Sequence, residues 1–388
     1  MRAIPAAEAP DAHRLFQPIT LRGTRLKNRI VVSPMSTYSA HDGFCDDFHL
    51  VHLGRFAQGG AGLVMMEASA VEARGRGTHG CAGIWSDAHM PGLGRIAASI
   101  AGAGAVPGIQ LGHSGPKGAT QRPWHGGAPL GADDAARGEP AWPLVSSSAQ
   151  PFDGGWVVPE AMDEDAMDRM VAAYEAAARR ARDAGFEVLE LHCAHGYLLH
   201  AFLSPLLNQR TDRHGGSLEN RMRFPLRVAD AVRRQWPDAR PLFVRVSSVD
   251  GVDAGWSMDD TVRFASELRL RGVDAVVCSS GGPKLPRGAA LVGRTPGFQV
   301  PFAARVRAEA GMPSVAVGLI RTAAQAENIL QAGAADLIAL GRELLVNPNW
   351  PLQAALELEG AQGWRRWPDA IGWWLERRER SLQPRSSG

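Results

Sequence analysis

Short apolar segments recur along the chain and alternate with longer segments in which apolar residues repeat at helical spacing. Runs of this length, rich in Val, Ile and Leu, are typical of parallel strands buried on both faces, and the helical segments between them form crossover connections. Eight runs fit this description: Arg29–Ser33, Leu63–Glu67, Val106–Leu111, Val188–His192, Leu242–Val246, Ala275–Ser279, Ser314–Val317 and Leu337–Leu340. Eight strand–helix units predict an α/β fold of the (β/α)8 TIM-barrel type.

One helical segment shows how specific the pattern is. An apolar stripe at i, i+3, i+4 spacing follows Asp163, which suits an N-cap, and ends before Gly185, which suits the C′ position. The stripe consists of Met167, Met170, Val171, Tyr174, Ala178 and Ala181. We expect this helix to pack on the outside of the barrel.

The length of 388 residues allows one main domain with insertions. We predict an N-terminal extension at 1–14, the barrel at 15–356, and a C-terminal tail at 357–388 that could contact another subunit. Residues 114–160, rich in Gly, Pro and Trp, lie between strands three and four and are interpreted as a lid or subdomain over the barrel mouth. A doubly wound open sheet is the alternative, but no G-x-G-x-x-G motif follows the first strand.

Composition narrows the classes of function. The net charge of +2, from 42 basic and 40 acidic residues, argues against a nucleic-acid partner. The four cysteines form no C-x-x-C pair, so neither a disulfide framework nor an iron–sulfur cluster is indicated. The first 13 residues lack the apolar stretch of a signal peptide, and no run reaches membrane-spanning length. A cytoplasmic protein with no membrane association is therefore expected.

The predicted strand ends carry polar residues and glycines, and barrel enzymes place their chemistry at these ends. Gly318 and the pair Gly341 and Arg342 follow strands seven and eight, where barrels commonly bind phosphate with backbone N–H groups and a helix N-terminus. The alternative is that the two glycines only permit tight turns. An arginine that can hold a phosphate with two hydrogen bonds favours the phosphate site.

A ligand with a phosphate at one edge and a planar, hydrogen-bonding ring at the barrel centre would contact Gln110 and Arg245. Flavin mononucleotide (FMN) is such a ligand, and a buried arginine would stabilise its anionic reduced form. The alternatives are a structural ion pair for Arg245 and a satisfied core amide for Gln110.

The segment from His192 to Tyr197 contains two histidines three residues apart, followed by a tyrosine. No carboxylate or third histidine lies at zinc-enzyme spacing, so we predict no metal. The two imidazoles can instead donate hydrogen bonds to a substrate oxygen, with Tyr197 as a proton source. The three lysines, Lys27, Lys117 and Lys284, lie outside the predicted strands, which disfavours a Schiff-base aldolase.

The run from His192 to Phe224 (HCAHGYLLHAFLSPLLNQRTDRHGGSLENRMRF) resembles the old yellow enzyme family (NADH:flavin oxidoreductase/NADH oxidase). Further matches are NRIVVSPM at 28–35, MEASAV at 66–71, IQLGHSG at 109–115, FVRVS at 243–247 and LGRELLVNP at 340–348. The resemblance covers residues 15–356. It is greatest to the bacterial thermophilic-like branch, which has histidine, as at His195, where other members have asparagine.

The resemblance implies a ping-pong reductase that takes hydride from NADPH or NADH and reduces α,β-unsaturated carbonyl or nitro compounds as a homodimer or homotetramer. It implies that His192 and His195 hold the substrate oxygen, that Tyr38 contacts the substrate, and that Tyr197 supplies the proton. The implied FMN-binding residues are Ser33, Pro34, Met35, Ser36, Ala68, Gln110, Arg245, Gly318, Gly341 and Arg342.

Two positions depart from the branch. Ser36 stands where the branch usually has cysteine near the flavin, and we expect it to shift the flavin potential. Ile371 to Trp374 stand where the branch often has a Tyr-x-Arg segment that enters the neighbouring subunit's site, and this departure disfavours sharing of active sites between subunits. Trp373 or Trp374 could fill the same volume.

Other functions on the same fold stay open from the sequence. They are an amine dehydrogenase, a dienoyl-CoA reductase, an oxygenating or desaturating flavin enzyme, and a flavin-binding subunit without turnover. The iron–sulfur relatives with several domains are disfavoured because the clustered cysteines are missing.

Overall fold

A computed structural model describes residues 13–283 and 292–382 of the chain. Most of the predicted N-terminal extension, Lys284 and the last six residues of the predicted tail lie outside these ranges. The strands are β1 Ile19–Leu21, β2 Thr24–Leu26, β3 Ile30–Val32, β4 Leu63–Ala70, β5 Val106–Gly112, β6 Val145–Ser146, β7 Glu160–Ala161, β8 Val188–Cys193, β9 Leu242–Ser247, β10 Ala275–Ser279, β11 Ser314–Ala316 and β12 Leu337–Leu340.

Eight of these strands form a closed parallel barrel in the order β3, β4, β5, β8, β9, β10, β11, β12. Pairing of β12 with β3, in which Leu340 lies opposite Val32, closes the barrel. Each strand overlaps one of the eight predicted runs, so the predicted fold class is confirmed. The remaining pairs are the antiparallel hairpin of β1 with β2, and β6 with β7.

Helices follow the strands along the chain. They are α1 Asp47–Gln58, α2 Met90–Gly102, α3 Ala132–Ala136, α4 Glu164–Asp183, α5 Leu198–Leu203, α6 Leu218–Gln235, α7 Met258–Leu270, α8 Val300–Arg305, α9 Ala323–Gln331, α10 Arg342–Val346, α11 Trp350–Glu359 and α12 Asp369–Leu382. In the described parts of the chain, no helix is both long and apolar enough to cross a membrane.

The predicted helix after Asp163 is α4. The Asp163 carboxylate accepts a hydrogen bond from the Ala166 N–H at 2.7 Å, and Gly185 follows the helix with a φ of +91°. All six residues of the predicted stripe are buried. Burial of this stripe, rather than helix propensity alone, holds α4 against the barrel.

The core of the barrel has two layers. The larger layer lies between the strands and the helices, and the smaller one fills the N-terminal end of the barrel lumen. Apolar side chains that point inward from the strands form most of the smaller layer: Val31, Leu63, Met65, Val188, Phe243, Ala275, Val277, Val315, Leu337 and Ala339. The lumen is therefore closed at one end, and a ligand could enter it only from the other.

Residues 114–160 lie at the open, C-terminal end of the barrel. Trp142 Nε1 donates to the Arg74 carbonyl at 2.9 Å, and Arg122 Nε donates to the Tyr38 carbonyl at 3.2 Å. These contacts join the segment to the loops that follow β3 and β4. Its interpretation as a lid stays a prediction.

Candidate active site

Two hydrogen-bonded pairs of polar residues lie in the lumen just above the apolar layer. Gln110 Nε2 donates to Glu190 Oε1 at 2.6 Å, and Arg245 Nη1 donates to Ser33 Oγ at 3.0 Å. Burial raises the pKa of Glu190 to about 6, while the charge of Arg245 and the hydrogen bond from Gln110 oppose the rise. Four barrel strands thus contribute to one polar network, in which the attraction between Arg245 and Glu190 links the two hydrogen-bonded pairs.

Arg245 also borders a cavity of about 610 Å³ that opens above this network. Ser33, Pro34 and Met35 line one part of it, and Gly318, Gly341 and Arg342 line another. The sequence-predicted residues for the flavin ring and for the phosphate therefore meet in one cavity, whose size suits a cofactor.

The donor set of this cavity fits FMN. Arg245 Nε is buried and has no hydrogen-bond partner among the described residues. A buried donor of this kind is costly unless a ligand supplies an acceptor. Gly318 has a φ of +115°, and a Cβ atom there would lie 2.5 Å from Gln299 Oε1, so the turn beside the cavity requires glycine.

Three predicted cofactor residues, Ser36, Ala68 and Gln110, are not among the residues that line this cavity. Gln110 instead donates its hydrogen bond to Glu190, below the cavity. Ala68 lies where the pairing of β4 with β5 shifts register between Met66 and Ser69. Such an irregularity changes the direction of side chains at a barrel rim.

Glu67 fixes the loop that follows β3. Its carboxylate accepts hydrogen bonds from the Thr37 N–H at 2.8 Å and from Thr37 Oγ1 at 2.6 Å. Burial raises the pKa of Glu67 to about 7. The next residue, Tyr38, has a φ of +55°, and its carbonyl accepts from Arg122. This loop thus holds Tyr38 in a conformation that non-glycine residues seldom adopt.

The histidine pair lies at the end of β8. His192 Nδ1 accepts a hydrogen bond from the Ala194 N–H at 3.2 Å, so its hydrogen is on Nε2, which lies 3.3 Å from His195 Nδ1. Burial lowers the pKa of both histidines well below the usual value, and the positive charge of Arg245 adds to this. Both rings are therefore neutral near pH 7.

The backbone of His195 is held from two sides. Its φ is +62°, its N–H donates to Ser247 Oγ at 2.9 Å, and its carbonyl accepts from Lys117 Nζ at 2.9 Å. Next to it, the Gly196 N–H donates to His200 Nδ1 at 2.9 Å. A strained backbone conformation persists where its surroundings determine it this completely.

Tyr197 packs beside the pair, with its ring centroid 4.6 Å from that of His192. Burial raises the pKa of Tyr197, so the phenol keeps its proton near pH 7. Lys117 Nζ lies 5.6 Å from the Tyr197 ring centroid, and burial lowers the pKa of this lysine to about 8.

Sequence reasoning missed several residues of this site. It used Lys117 only to reject aldolase chemistry, although a lysine that closely follows a predicted strand end is itself a signal. It also passed over Glu190, an acidic residue inside an apolar strand and two positions before His192. A charge at such an inward-facing position must be paired, and that rule would have singled it out.

Comparison with known proteins gives matches along most of the chain. The model of the NADH:flavin oxidoreductase / NADH oxidase family matches residues 14–360. The NADPH dehydrogenase of Geobacillus sp. (strain WCH70) is 42% identical over 361 residues, which cover 90% of this chain and 98% of that protein. That of Bacillus subtilis (strain 168) is 43% identical over 349 residues, 89% of this chain and 96% of the relative.

Solved structures agree with the fold. Morphinone reductase in complex with tetrahydroNAD superposes with a TM-score of 0.72 at 26% identity, covering 89% of this chain and 91% of the other. The old yellow enzyme homologue from Zymomonas mobilis has a TM-score of 0.71 at 25% identity, covering 91% and 99%. The similarity therefore extends over the whole barrel. The residues that the family model matches include both the histidine pair and the residues that line the cavity.

Proposed function

The chain belongs to the NADH:flavin oxidoreductase / NADH oxidase family, which confirms the resemblance to old yellow enzyme, and from this premise we propose that it reduces the activated C=C bond of α,β-unsaturated carbonyl or nitro compounds. It is an NAD(P)H-dependent flavin oxidoreductase that uses FMN. Bound FMN supplies hydride-transfer chemistry in a ping-pong cycle, with NADPH or NADH as the source of hydride.

The observation that carries the proposal is the pair of ring nitrogens 3.3 Å apart, His192 Nε2 and His195 Nδ1, at the mouth that also holds the FMN cavity. Each neutral imidazole has one N–H to offer. An oxygen between the two nitrogens would accept from both, and negative charge that develops on it would be stabilised. We refer to these two nitrogens as the histidine clamp.

Nearby charge supports an oxygen ligand over a cationic one. Arg245 and Lys117 lower the pKa of both clamp histidines, and the same positive charges favour an oxyanion in the clamp. They disfavour an ammonium group, which argues against amine oxidation at this site. Pro34 and Met35 would lie beside the flavin, and Tyr38 would contact the substrate from the loop that Glu67 holds.

Tyr197 would complete the reaction by giving its phenolic proton to the α-carbon of the substrate. Its raised pKa keeps the proton available at neutral pH. Lys117, beside its ring, would stabilise the phenolate that remains.

The proposal extends to a cytoplasmic homodimer or homotetramer. Trp373 and Trp374 on α12 are 50% and 68% exposed, and adjacent exposed tryptophans favour self-association. Sedimentation equilibrium at micromolar concentration tests this part, and a monomer would contradict it.

The test of the function is a comparison of His192→Ala/His195→Ala with His195→Asn, which keeps one amide donor at the second position. We expect the double variant to retain FMN in its visible spectrum and to lose about 10²- to 10³-fold in kcat/KM for cyclohexenone with NADPH. We expect it to lose binding of para-hydroxybenzaldehyde. His195→Asn should lose much less. A double variant with the wild-type rate on cyclohexenone, maleimide and nitroalkenes would overturn the proposal.

A further inference from the structure

A hydroxyl from the next strand but one contacts the histidine clamp from behind. Ser279 Oγ, at the end of β10, lies 2.7 Å from His195 Nε2, and both Ser279 and His192 are only 5% exposed. The His195 ring is therefore engaged at both nitrogens, with Nδ1 in the clamp and Nε2 on Ser279. Because a neutral imidazole carries one hydrogen, the group at Nε2 determines whether Nδ1 can donate.

His192 does not set the tautomer of His195. Its own hydrogen is on Nε2 and points towards His195 Nδ1, because its Nδ1 accepts from the Ala194 N–H. For both rings to donate to one substrate oxygen, His195 must carry its hydrogen on Nδ1. Its Nε2 then becomes an acceptor and needs a donor.

Protonation does not offer a second route to an Nδ1–H. An imidazolium would have hydrogens on both nitrogens, but burial and the charges of Arg245, Lys117 and neighbouring histidines lower the pKa of His195. Rotation of the backbone is also blocked, because the His195 N–H is bound to Ser247 Oγ. His195 can therefore present an N–H to the clamp only as the neutral tautomer that has its hydrogen on Nδ1.

The surroundings of Ser279 leave its hydrogen for this purpose. Gln299 Nε2 donates to Ser279 Oγ at 3.2 Å and to Ser280 Oγ at 3.0 Å. Gln299 is itself 5% exposed, and its Oε1 faces Gly318. With one lone pair of Ser279 Oγ occupied by the amide, its O–H can be directed at His195 Nε2.

We propose that Ser279 is a positioning residue that sets the Nδ1–H tautomer of His195 when an oxygen enters the clamp, and that Gln299 orients its hydroxyl. The inference rests on the proposed function, and the ligands concerned are those whose oxygen carries or develops negative charge. A hydroxyl suits this position because it both donates and accepts, so it can follow either tautomer.

The experiment uses the FMN-loaded enzyme labelled with ¹⁵N-histidine, with para-hydroxybenzaldehyde as the probe. Two-bond ¹H–¹⁵N spectra distinguish a protonated from an unprotonated ring nitrogen, and His195→Asn assigns the His195 signals. In the wild type we expect Nδ1 of His195 to be protonated with the probe bound. In Ser279→Ala we expect this preference to be lost, and the Kd of the probe to rise about tenfold or more.

Matched variants separate the hydrogen bond from packing. Ser279→Thr keeps the hydroxyl and should restore both the tautomer and the Kd, whereas Ser279→Cys, a weaker donor, should give an intermediate Kd. Ser280→Ala removes the other hydroxyl that accepts a hydrogen bond from Gln299, and it should change neither the tautomer of His195 nor the Kd of the probe. The Cys and Thr variants keep the test decisive if Ser279→Ala does not fold.

Two results would overturn the inference: an Nδ1-protonated His195 with unchanged Kd in Ser279→Ala, or a Thr variant as impaired as the Ala variant. Failure of the proposed function gives a different result, because wild type and His192→Ala/His195→Ala would then bind the probe equally well.

Discussion

At the N-terminal end of the barrel lumen the inward-facing side chains are apolar and pack on one another, whereas one inward-facing position further along the same strands they are polar and hydrogen-bonded. On β8, Val188 is followed two residues later by Glu190, and on β9, Phe243 is followed by Arg245. The same strands therefore form a packed apolar layer at the closed end and a polar layer towards the open end. The two layers differ only in their position along the strands.

The two ends meet different physical demands. Apolar side chains at the closed end need only volume and contact, so substitutions there should change stability. Polar side chains at the mouth need partners, and Arg245 Nε still lacks one among the described residues. Substitutions at the mouth should therefore change ligand binding and rate. Four predictions test this division, beginning with the largest expected effect.

Phe243→Ala should lower the free energy of unfolding by about 3–5 kcal/mol, because it removes a fully buried ring from the closed end of the lumen. Urea unfolding at fixed, saturating FMN measures the effect. Phe243→Leu is the control and should cost under about 1.5 kcal/mol. A Phe243→Ala enzyme with unchanged stability but impaired turnover per bound flavin would contradict the assignment of the closed end to stability and of the open end to ligand binding and rate.

Tyr197→Phe should lower kcat for cyclohexenone by about 10²-fold, because the ring remains against His192 but the proton donor is gone. Steady-state rates measure the loss of catalysis. Titration with para-hydroxybenzaldehyde measures ligand binding, which should be retained. Tyr174→Phe on α4 is the matched control. The Tyr174 hydroxyl is buried without a partner in the described part of the chain, so its removal should leave the rate unchanged. Equal rates for the two variants would contradict the role of Tyr197.

Arg245→Met should weaken FMN binding by about tenfold or more, because a buried charged donor is lost from the cavity and Glu190 loses its counter-charge. Fluorescence titration of the apoprotein with FMN measures the Kd. Arg245→Lys keeps the charge without the planar fork and should lie between Met and wild type. An unchanged Kd in the Met variant would remove Arg245 from the cofactor site.

Glu67 should give a dependence of stability on pH. Its pKa is raised from 4.5 to about 7, so between these values the folded chain holds a proton that the unfolded chain releases. Its contribution to stability is complete below about pH 4.5 and falls as pH rises towards 7. Glu67→Gln cannot ionise, so relative to it the wild type should lose on the order of 3 kcal/mol across this window in urea unfolding.

Glu164→Gln on the outer helix α4 is the control with the opposite sign. Arg213 and His214 lower the pKa of Glu164 to about 2, so this group stabilises the fold above pH 4.5 and loses its effect as pH falls towards 2. A Glu67→Gln variant whose pH profile parallels the wild type between pH 4.5 and 7 would show that the carboxyl is not buried as described.

The strands and the cap of α4 could be predicted because their causes are local. A strand buried on both faces shows an apolar run whatever its neighbours are, and Asp163 caps a helix that begins at the next residue. The end of β4 was placed too early, at Glu67 instead of Ala70, because continuation of the strand depends on an irregular pairing with β5.

The sequence by itself determined the barrel, and it supplied the residues that we propose for the flavin and for a substrate oxyanion. Tertiary structure alone decided which of them touch. Ser279 and His195 are 84 residues apart, and Arg245 and Ser33 are 212 apart, yet each pair lies within 3.0 Å. A hydrogen bond tolerates only a few tenths of an ångström, and closure of the barrel, not the neighbouring sequence, brings these atoms to that distance.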